Sequence, residues 1–323
     1  MPQPIDWLSR LLEIMPVSGR LELRCLYGAP WQVVYGQSGP GDIVYHVVLS
    51  GVAIVKDPDG GPPRRLGAGD ILLVPTGAPH ILHDGSGAEP IPATQRIGLN
   101  LTISENTGSG EQLDMLCGRF VLSPPHYRLL GAYLSSRLIV RGTPPIPSST
   151  QSATREQLSG LLSLMRAETG MESLGGHAML NAFSAALFTL ALRLASESDD
   201  MPPGLLALAS HPRLAPALSA MFLNPTHPWT LPKLADLCNM SRATLARHFQ
   251  DGLGRSANDL LLNIRMTLAA NELKKANAST AAAAEAAGYE SDAAFQRVFK
   301  RHLGMTPAQW RDAARSVVPK SNE

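Results

Sequence analysis

Residues 241–256 read SRATLARHFQDGLGRS, and residues 291–306, fifty positions later, read SDAAFQRVFKRHLGMT. Each segment starts with a serine that suits the N-cap of a helix and ends at a Leu-Gly pair followed by Ser or Thr. Apolar residues recur at helical spacing in both, and Phe249 in the first corresponds to Phe299 in the second. Arg247 and Arg297 also correspond. This agreement at one offset predicts a duplicated unit.

A shorter helix is predicted before each of these segments. In the first copy, Leu231, Leu234 and Ala235 lie at helical spacing, and a turn at 239–240 separates them from the serine. Residues 259–276 read as one long helix that joins the two copies. The stretch 231–311 is therefore interpreted as two helix-turn-helix units in tandem.

The same stretch resembles the DNA-binding domain of the AraC/XylS transcription regulators. The match is most specific in the second unit, which reads Ala286-Ala287-Gly288-Tyr289-Glu290-Ser291, then Phe295, Phe299, Lys300, Gly304, Thr306-Pro307 and Trp310-Arg311. The resemblance implies that the second helix of each unit enters the major groove of DNA. It also implies activation of transcription, with a double-stranded DNA operator and RNA polymerase as partners.

The resemblance places the base-reading positions on the first turns of the two second helices. Arg297 suits guanine, whose O6 and N7 accept its forked donors, while Ala243 and Ala246 suit thymine methyls or little sequence. In the alternative interpretation, Arg247 and Arg297 bind phosphate or lie in solvent. The predicted DNA-contacting residues are Ser241, Arg242, Ala243, Thr244, Ala246, Arg247, Ser291, Ala293, Gln296, Arg297 and Lys300.

The charge distribution agrees with this placement. The chain has a net charge of +1, but residues 211–323 hold 14 Lys and Arg against 9 Asp and Glu, so the remaining residues carry a net charge of −4. A basic excess beside a DNA reader can neutralise phosphates. An excess of this size also fits an ordinary solvated surface.

The first part of the chain predicts short strands separated by turn residues, near Gln32–Tyr35, Ile43–Leu49, Val52–Lys56 and Ile71–Pro75. The run 66–75 followed by His80 resembles the second half of a cupin, which is a small jelly-roll barrel, and His46 lies where the first cupin motif places a ligand. Residues 85–112 are predicted as a loop or insertion. The fold class is α+β, with an amino-terminal cupin-like β-barrel, following helices and an all-α tandem helix-turn-helix domain.

Four residues of this barrel are candidates for a sensor site: Cys25, His46, His80 and Cys117. Their surroundings resemble the cupin-type sensors of one AraC subgroup, the group that holds the reactive-chlorine-sensing activators of enteric bacteria. The resemblance covers nearly the whole chain. This sequence departs from it by a longer insertion before Cys117 and by the lack of a second cysteine just upstream of it.

Two chemistries are open to these four residues. Cys25 and Cys117 suit redox thiols that an oxidant converts to a sulfenic acid or a disulfide, with imidazoles keeping a thiolate available. Alternatively, two Cys and two His suit a tetrahedral zinc site, with His83 as an alternate ligand. A third interpretation makes the cysteines buried small hydrophobes and the histidines hydrogen-bonded relics of the barrel. Cys238 is predicted to be a core residue.

Two further alternatives concern the barrel as a whole. It could bind a small organic effector, or it could be a metalloenzyme such as a dioxygenase, which needs three ligands on one face with open positions. A DNA-binding domain would be superfluous in such an enzyme, so we expect no enzymatic activity.

The sequence predicts three regions: a cupin-like domain over 1–141, a linker and helical region over 142–203, and the DNA-binding domain over 204–323. An amphipathic helix at 5–15 is expected to pack on the first domain. By resemblance, the helical stripes over 155–195 are expected to form a homodimer interface. In the alternative interpretation, they simply pack on the barrel.

We find no basic segment followed by an apolar stretch at the amino end, and no run of about 18 apolar residues. A cytoplasmic location without a membrane follows.

Overall fold

The structure is a computed structural model that describes residues 5–58, 60–142, 149–198 and 202–316. The chain forms two compact units. The strand unit consists of Val17–Ser123 and Leu134–Pro202, and the helix unit consists of Met1–Pro16, Pro124–Tyr133 and Pro203–Glu323. The two units are therefore interleaved along the sequence.

The strand unit contains all the strands of the described chain and two long helices. The strands are β1 Val17–Gly28, β2 Gln32–Tyr35, β3 Asp42–Ser50, β4 Ala53–Lys56, β5 Arg64–Leu66, β6 Ile71–Val74, β7 His80–His83, β8 Thr94–Ile97, β9 Thr102–Glu105, β10 Gln112–Leu122 and β11 Leu138–Val140. The two helices of this unit are the third and fourth of the chain, α3 Ser149–Thr169 and α4 Gly176–Ser196.

The helix unit contains the remaining helices. They are α1 Trp7–Ile14, α2 His126–Tyr133, α5 Leu205–Ser210, α6 Ala215–Leu223, α7 Leu231–Leu237, α8 Arg242–Leu253, α9 Ala257–Leu273, α10 Thr280–Ala286, α11 Asp292–Leu303 and α12 Pro307–Ser316.

Two sheets form the barrel. Seven strands follow the order β11-β6-β3-β10-β1-β9-β8, and four follow the order β2-β7-β4-β5. Apolar side chains from both sheets share one buried core, which includes Trp31, Val48, Leu72 and Leu82. The α+β fold class and the four predicted strands are confirmed.

The prediction of a loop over 85–112 is wrong in part, because β8 and β9 lie within it. All four residues of β8 are exposed at the sheet edge, so they show no alternation of apolar and polar side chains. β9 pairs in parallel with β1, a long-range pairing that the local sequence does not indicate.

The helix α4 packs on β1 and on α3. The Tyr45 hydroxyl forms a hydrogen bond with the Ser184 hydroxyl, and Phe120 contacts Phe188 with ring centroids 4.7 Å apart. Burial of this helical stripe is therefore observed. Within the described chain, α4 alone is long and apolar enough to cross a membrane, a property that core helices of globular proteins share. Its apolar face is occupied by β1 and α3.

The amphipathic helix at 5–15 forms as α1 Trp7–Ile14, with Asp6 as its N-cap. The expectation that it packs on the first domain is wrong. It packs on α6 and α9 of the helix unit, and Trp7 contacts Phe222 with ring centroids 6.1 Å apart. An amphipathic stripe indicates that one face is buried, but not which partner buries it.

The close approach of α4 to β1 depends on Gly19. A Cβ atom at this position would lie 2.3 Å from the Ala185 backbone nitrogen and 2.5 Å from the Ser184 Cβ. We expect Gly19→Ala to lower the free energy of unfolding by about 1–3 kcal/mol, because overpacking forces the helix away from the sheet. Urea denaturation measures the change. Gly36→Ala is the matched control, since nothing lies within 4 Å of the added Cβ. Equal stabilities of the two variants would contradict the prediction.

Candidate functional site

The second helices of the two helix-turn-helix units begin and end in the same way. The Thr244 N–H donates to the Ser241 hydroxyl at 3.1 Å, and the Ala294 N–H donates to the Ser291 hydroxyl at 3.4 Å. α8 ends at Gly254 and α11 ends at Gly304, both in the left-handed conformation. The predicted caps are therefore present in both copies.

The turns of the two units differ by one residue. Asn239 and Gly288 take up positive φ values of 49° and 73° and occupy the same place in their turns. The first helices correspond at an offset of forty-nine, since Thr230 caps α7 and Ser279 caps α10. The second helices correspond at fifty, because Glu290 adds a residue to the second turn.

The two second helices also share one pattern of exposure. Leu245 and Phe249 of α8 are fully buried, as are Phe295 and Phe299 of α11. Ten of the predicted DNA-contacting residues are exposed: Ser241, Arg242, Ala243, Ala246, Arg247, Ser291, Ala293, Gln296, Arg297 and Lys300. Thr244 is half-buried, and its hydroxyl bonds to the Ser241 hydroxyl at 2.9 Å, so it supports the cap.

The cationic side chains on these helices are available to a partner. In the described parts of the chain, Arg242, Arg247, Arg297 and Lys300 form no ion pair with an acidic neighbour. Exposed arginines next to small residues at a helix start suit contact with base edges and phosphates.

The four sensor candidates meet inside the barrel and form a chain of contacts. Cys25 Sγ lies 3.8 Å from Cys117 Sγ, and Cys117 Sγ lies 3.1 Å from His46 Nδ1. His46 Nε2 lies 2.8 Å from His80 Nε2, and His80 Nδ1 lies 3.0 Å from the Ala78 carbonyl oxygen. All four side chains are buried.

The carbonyl at the end of this chain fixes the direction of its hydrogen bonds. The Ala78 carbonyl can only accept, so His80 Nδ1 carries a hydrogen and, in the neutral ring, His80 Nε2 accepts. His46 Nε2–H then donates to it, and His46 Nδ1 is left as an acceptor facing Cys117. This assignment follows from the network of neutral rings. It makes His46 a base for the Cys117 thiol.

Strand pairing places the two sulfur atoms together. In the antiparallel pair of β1 and β10, Cys25 lies opposite Met115 and Cys117 lies opposite Leu23. The cysteines are therefore diagonal neighbours on one face, whose Cα atoms lie roughly 7–8 Å apart in such pairs. On its other side, Cys117 lies opposite His46 of β3.

Two tyrosines that the sequence did not reveal complete the site. Tyr35 donates to Cys117 Sγ at 3.6 Å and stacks on His80, with ring centroids 4.8 Å apart. Tyr27 is buried beside Cys25 and bonds to the Ser104 hydroxyl at 2.7 Å. Tyr35 lies opposite His80 in the pairing of β2 with β7, a register that no local signal in the sequence specifies.

The arrangement does not fit a closed four-ligand zinc site. Cys117 lies at Nδ1 of His46 and His80 lies at Nε2, so the His46 ring separates these two side chains and the four groups do not surround one point. Among the described residues, no group of three or more His, Cys, Asp or Glu side chains is arranged to hold a metal ion. His83 Nδ1 accepts from the Gly85 N–H at 3.1 Å, apart from the four.

Burial and hydrogen bonding act in opposite directions on the titratable groups. Burial lowers the pKa of His46 well below its usual value and also lowers the pKa of His80. Burial raises the pKa of Cys117. The pKa of Cys25 is lowered when the single S–H of Cys117 turns away from His46 and donates to Cys25. We infer that Cys25 is the thiol that ionises first. Cys238 is buried at the end of α7 and has a raised pKa because of burial.

Comparison with known proteins places the chain in a family. A family model described as "Cupin" matches residues 6–197, and one described as "Helix-turn-helix domain" matches residues 234–313. The chain is 26% identical to the RCS-specific HTH-type transcriptional activator RclR of Escherichia coli over 98% of this chain and 100% of that protein. It is 27% identical to an uncharacterized HTH-type transcriptional regulator of Haemophilus influenzae over 95% of this chain and 98% of that protein.

The chain belongs to the AraC family and carries a cupin domain. Among solved structures it is similar to the DNA-binding domain of AdpA in complex with a target DNA, which is 28% identical, with a TM-score of 0.32, over 33% of this chain and 97% of that chain. The relatives of this AraC-family protein are regulators, so the metalloenzyme alternative is set aside.

The buried imidazole of the AraC-family protein makes stability depend on pH. The folded-state pKa of His46 lies well below 6.5, the value near which it titrates when unfolded. Below that value the unfolded chain binds a proton that the folded chain does not, so the free energy of unfolding falls as the pH falls. Between about pH 6.5 and about pH 5.5, we expect the free energy of unfolding of His46→Gln to fall by roughly 1 kcal/mol less than that of wild type.

Denaturant unfolding at a series of pH values measures this slope, which is independent of the absolute stability of the variant. Burial also lowers the pKa of His80, His126 and His302, so part of the slope remains. The control is Gly36→Ala, which leaves every titratable side chain in place, so the wild-type slope is expected. An unchanged slope in His46→Gln would show that His46 binds protons equally in the folded and unfolded states, which contradicts the prediction.

The exposed position of Arg297 gives a test of base reading. We expect Arg297→Ala to weaken binding to the operator by roughly 1–3 kcal/mol and to weaken binding to random DNA much less, because a forked contact to guanine is specific. Fluorescence anisotropy with both duplexes measures the difference, and Gln296→Ala on the same exposed face is the matched comparison. An equal loss on both duplexes would assign Arg297 to the phosphate backbone.

Proposed function

We propose that this AraC-family transcription regulator senses two-electron oxidants by joining Cys25 and Cys117 in a disulfide that changes its action at an operator. The main support for this proposal is the contact of 3.8 Å between the two sulfur atoms, together with His46 Nδ1, which lies 3.1 Å from Cys117 Sγ. The name of the relative RclR, which is called RCS-specific, supports the oxidant class.

The proposed reaction uses a hypohalous acid as oxidant. The Cys25 thiolate attacks the halogen, the oxygen–halogen bond breaks, and a sulfenyl halide and hydroxide form. Cys117 then displaces halide from the Cys25 sulfur and gives its thiol proton to His46 Nδ1, as the Nε2 proton of His46 passes to His80. The disulfide carries the two-electron oxidation, and His80 then gives its extra proton to the hydroxide, which leaves as water. Hydrolysis of the sulfenyl halide gives a sulfenic acid that reaches the same disulfide with loss of water.

The surroundings of Cys25 and Cys117 favour a small uncharged oxidant. Cys25 is fully buried and Cys117 is 4% exposed, with apolar neighbours from both sheets. A charged oxidant would lose its hydration on entry, whereas a small uncharged acid would lose little. The reduced pair is stable because an un-ionised thiol packs as a small hydrophobe.

The family also supports the wider proposal of a cytoplasmic homodimer that activates transcription with RNA polymerase. Leu164 of α3 and Met179 of α4 are exposed, as are Met171 and Leu174 in the loop that joins these helices. Exposed apolar side chains of this kind suit a second copy. Sedimentation of the purified protein tests the dimer.

A small organic effector is the second candidate signal. A cavity of about 220 Å³ lies beside the buried core, and its lining includes Tyr27, Trp31, Pro90 and Ile91. Two aromatic rings suit a small planar ligand. A thermal-shift screen against small aromatic compounds tests this candidate, and metal analysis of the purified protein tests the zinc prediction.

The thiol proposal predicts a result for each cysteine. With equimolar hypochlorous acid, wild type is expected to form a Cys25–Cys117 disulfide and to change its operator affinity by about fivefold or more. Cys25→Ser and Cys117→Ser each remove a sulfur atom and are expected to abolish the change. Peptide mass spectrometry and fluorescence anisotropy measure the two effects.

The control is Cys238→Ser, which removes the third cysteine of the chain at a buried position outside the barrel. It is expected to keep both the disulfide and the affinity change. A response that survives in the Cys25→Ser, Cys117→Ser double variant would overturn the thiol proposal.

A further inference from the structure

The two strands that carry the thiols continue directly into the helix unit. α1 ends at Ile14, three residues before β1 begins, and α2 begins at His126, four residues after β10 ends. The strand segments belong to the strand unit, whereas Met1–Pro16 and Pro124–Tyr133 belong to the helix unit. Each thiol strand is therefore covalently tied to a short helix that packs among the DNA-binding helices.

One side chain holds both of these short helices. Asn271 Nδ2 donates to the Ile14 carbonyl at 2.6 Å, and Asn271 Oδ1 lies 2.6 Å from His126 Nε2. Because a carbonyl only accepts, the amide orientation is fixed and His126 Nε2–H must be the donor to Oδ1. Asn271 lies near the end of α9 and is half-buried, and His126 is 1% exposed.

α2 and Pro124, two residues before it, make further contacts with the DNA-binding helices. Lys274 Nζ donates to the Pro124 carbonyl at 2.6 Å, and Asn263 of α9 donates to the Tyr133 hydroxyl at 2.8 Å. Arg128 donates to the His302 carbonyl at 3.0 Å. His302 lies in the last turn of α11, which is the second reading helix, the DNA-contacting helix of the second helix-turn-helix unit. α2 therefore contacts the end of this helix.

The helix that carries Asn271 is part of the core of the second helix-turn-helix unit. Met266, Ala269 and Leu273 of α9 pack in one buried cluster with Phe295 and Phe299 of α11. A displacement of α9 would therefore move α11 with it, because close-packed side chains transmit a shift rather than absorb it.

We infer that Asn271 couples the Cys25–Cys117 pair to the second reading helix. It acts as a positioning residue that receives the movement of both thiol strands through α1 and α2. This inference rests on the proposed function for the nature of the signal, but its coupling step concerns any change at the two thiols.

A disulfide would displace these strands. Its sulfur atoms lie about 2.05 Å apart and its Cα atoms usually 4.4–6.8 Å apart, closer than a diagonal pair across a ladder. Because the Cα separation typical of a diagonal pair exceeds the usual disulfide range, we expect closure of the present 3.8 Å gap between the sulfur atoms to draw β1 and β10 together.

The route through β10 is the stiffer of the two. β1 has a register shift between Leu21 and Leu23, which lies between Cys25 and α1 and can take up part of a displacement. β10 pairs without interruption with β3 from Cys117 to Val121 and with β1 from Gly118 to Leu122. We therefore place the main path along β10, α2 and Asn271.

Linkage gives a test that requires no oxidation. If the thiol pair and the DNA-reading helices are coupled, bound DNA must alter the environment of the thiols. The probe is a duplex selected from a randomised library with the full-length protein. The readout is the rate at which N-ethylmaleimide alkylates Cys25 and Cys117, followed by peptide mass spectrometry with and without the duplex.

In wild type, we expect the duplex to change this rate by about fivefold. Asn271→Ala is expected to reduce the change to about twofold or less, because its bonds to Ile14 and His126 are lost while the Lys274 bond to Pro124 remains. Lys274 is exposed, and Lys274→Ala removes its bond to Pro124, just before α2. It is therefore expected to give an intermediate ratio, and it carries the test if Asn271→Ala unfolds. Asn258→Ala, on the exposed face of α9, is the matched control and keeps the wild-type ratio.

The inference is overturned if the duplex leaves the wild-type rate unchanged, or if Asn271→Ala and Lys274→Ala both keep the full ratio. The proposed function has a separate failure, which is an operator affinity that hypochlorous acid does not change in wild type. If the affinity is insensitive to oxidant but the alkylation ratio responds to Asn271→Ala, the coupling stands and the oxidant is the wrong signal.

Discussion

The antiparallel pairing of β1 with β10 is the constraint on which the rest of the molecule depends. Its register sets Cys25 diagonal to Cys117, and the pairing of β10 with β3 sets Cys117 opposite His46. The same two strands lie at the centre of the larger sheet and continue into α1 and α2 at their outer ends. Thiol chemistry and the connection to the DNA-binding helices are therefore properties of a single strand pair. A change that slipped this register by one residue would put the two cysteines on opposite faces of the sheet and separate the sulfur atoms.

The helical half of the fold could be predicted from the sequence because its signals are local. Ser241 and Ser291 cap their helices, Gly254 and Gly304 end them, and the apolar spacing between these points predicts which residues are buried. The strand half was predicted less completely. The strand β8 has no buried residue and β9 pairs in parallel with a strand far away in the sequence, so neither gives a local pattern.

The candidate site likewise combines features that the sequence predicts with contacts that only long-range strand pairing creates. Cys25, His46, His80 and Cys117 were predicted as one cluster through resemblance to a family, and the structure brings them together. Their order in the contact chain depends on strand register, which the sequence alone does not specify. Tyr35 joins the cluster through the pairing of β2 with β7, and Asn271 contacts residues more than 140 positions away. Contacts of this kind are set by tertiary packing.

Under the proposed function, the interpretation of the cysteines as buried hydrophobes and the interpretation as redox thiols describe the same pair before and after oxidation. In the reduced state, Cys25 and Cys117 fill the core as small apolar side chains, and His46 and His80 satisfy each other and the Ala78 carbonyl. Such a core is stable and gives no signal. A covalent bond between the sulfur atoms removes about 1.7 Å of separation, which close-packed neighbours cannot absorb without moving. Burial is thus what makes the bond mechanically effective, because the same oxidation on an exposed loop would be taken up by the loop itself.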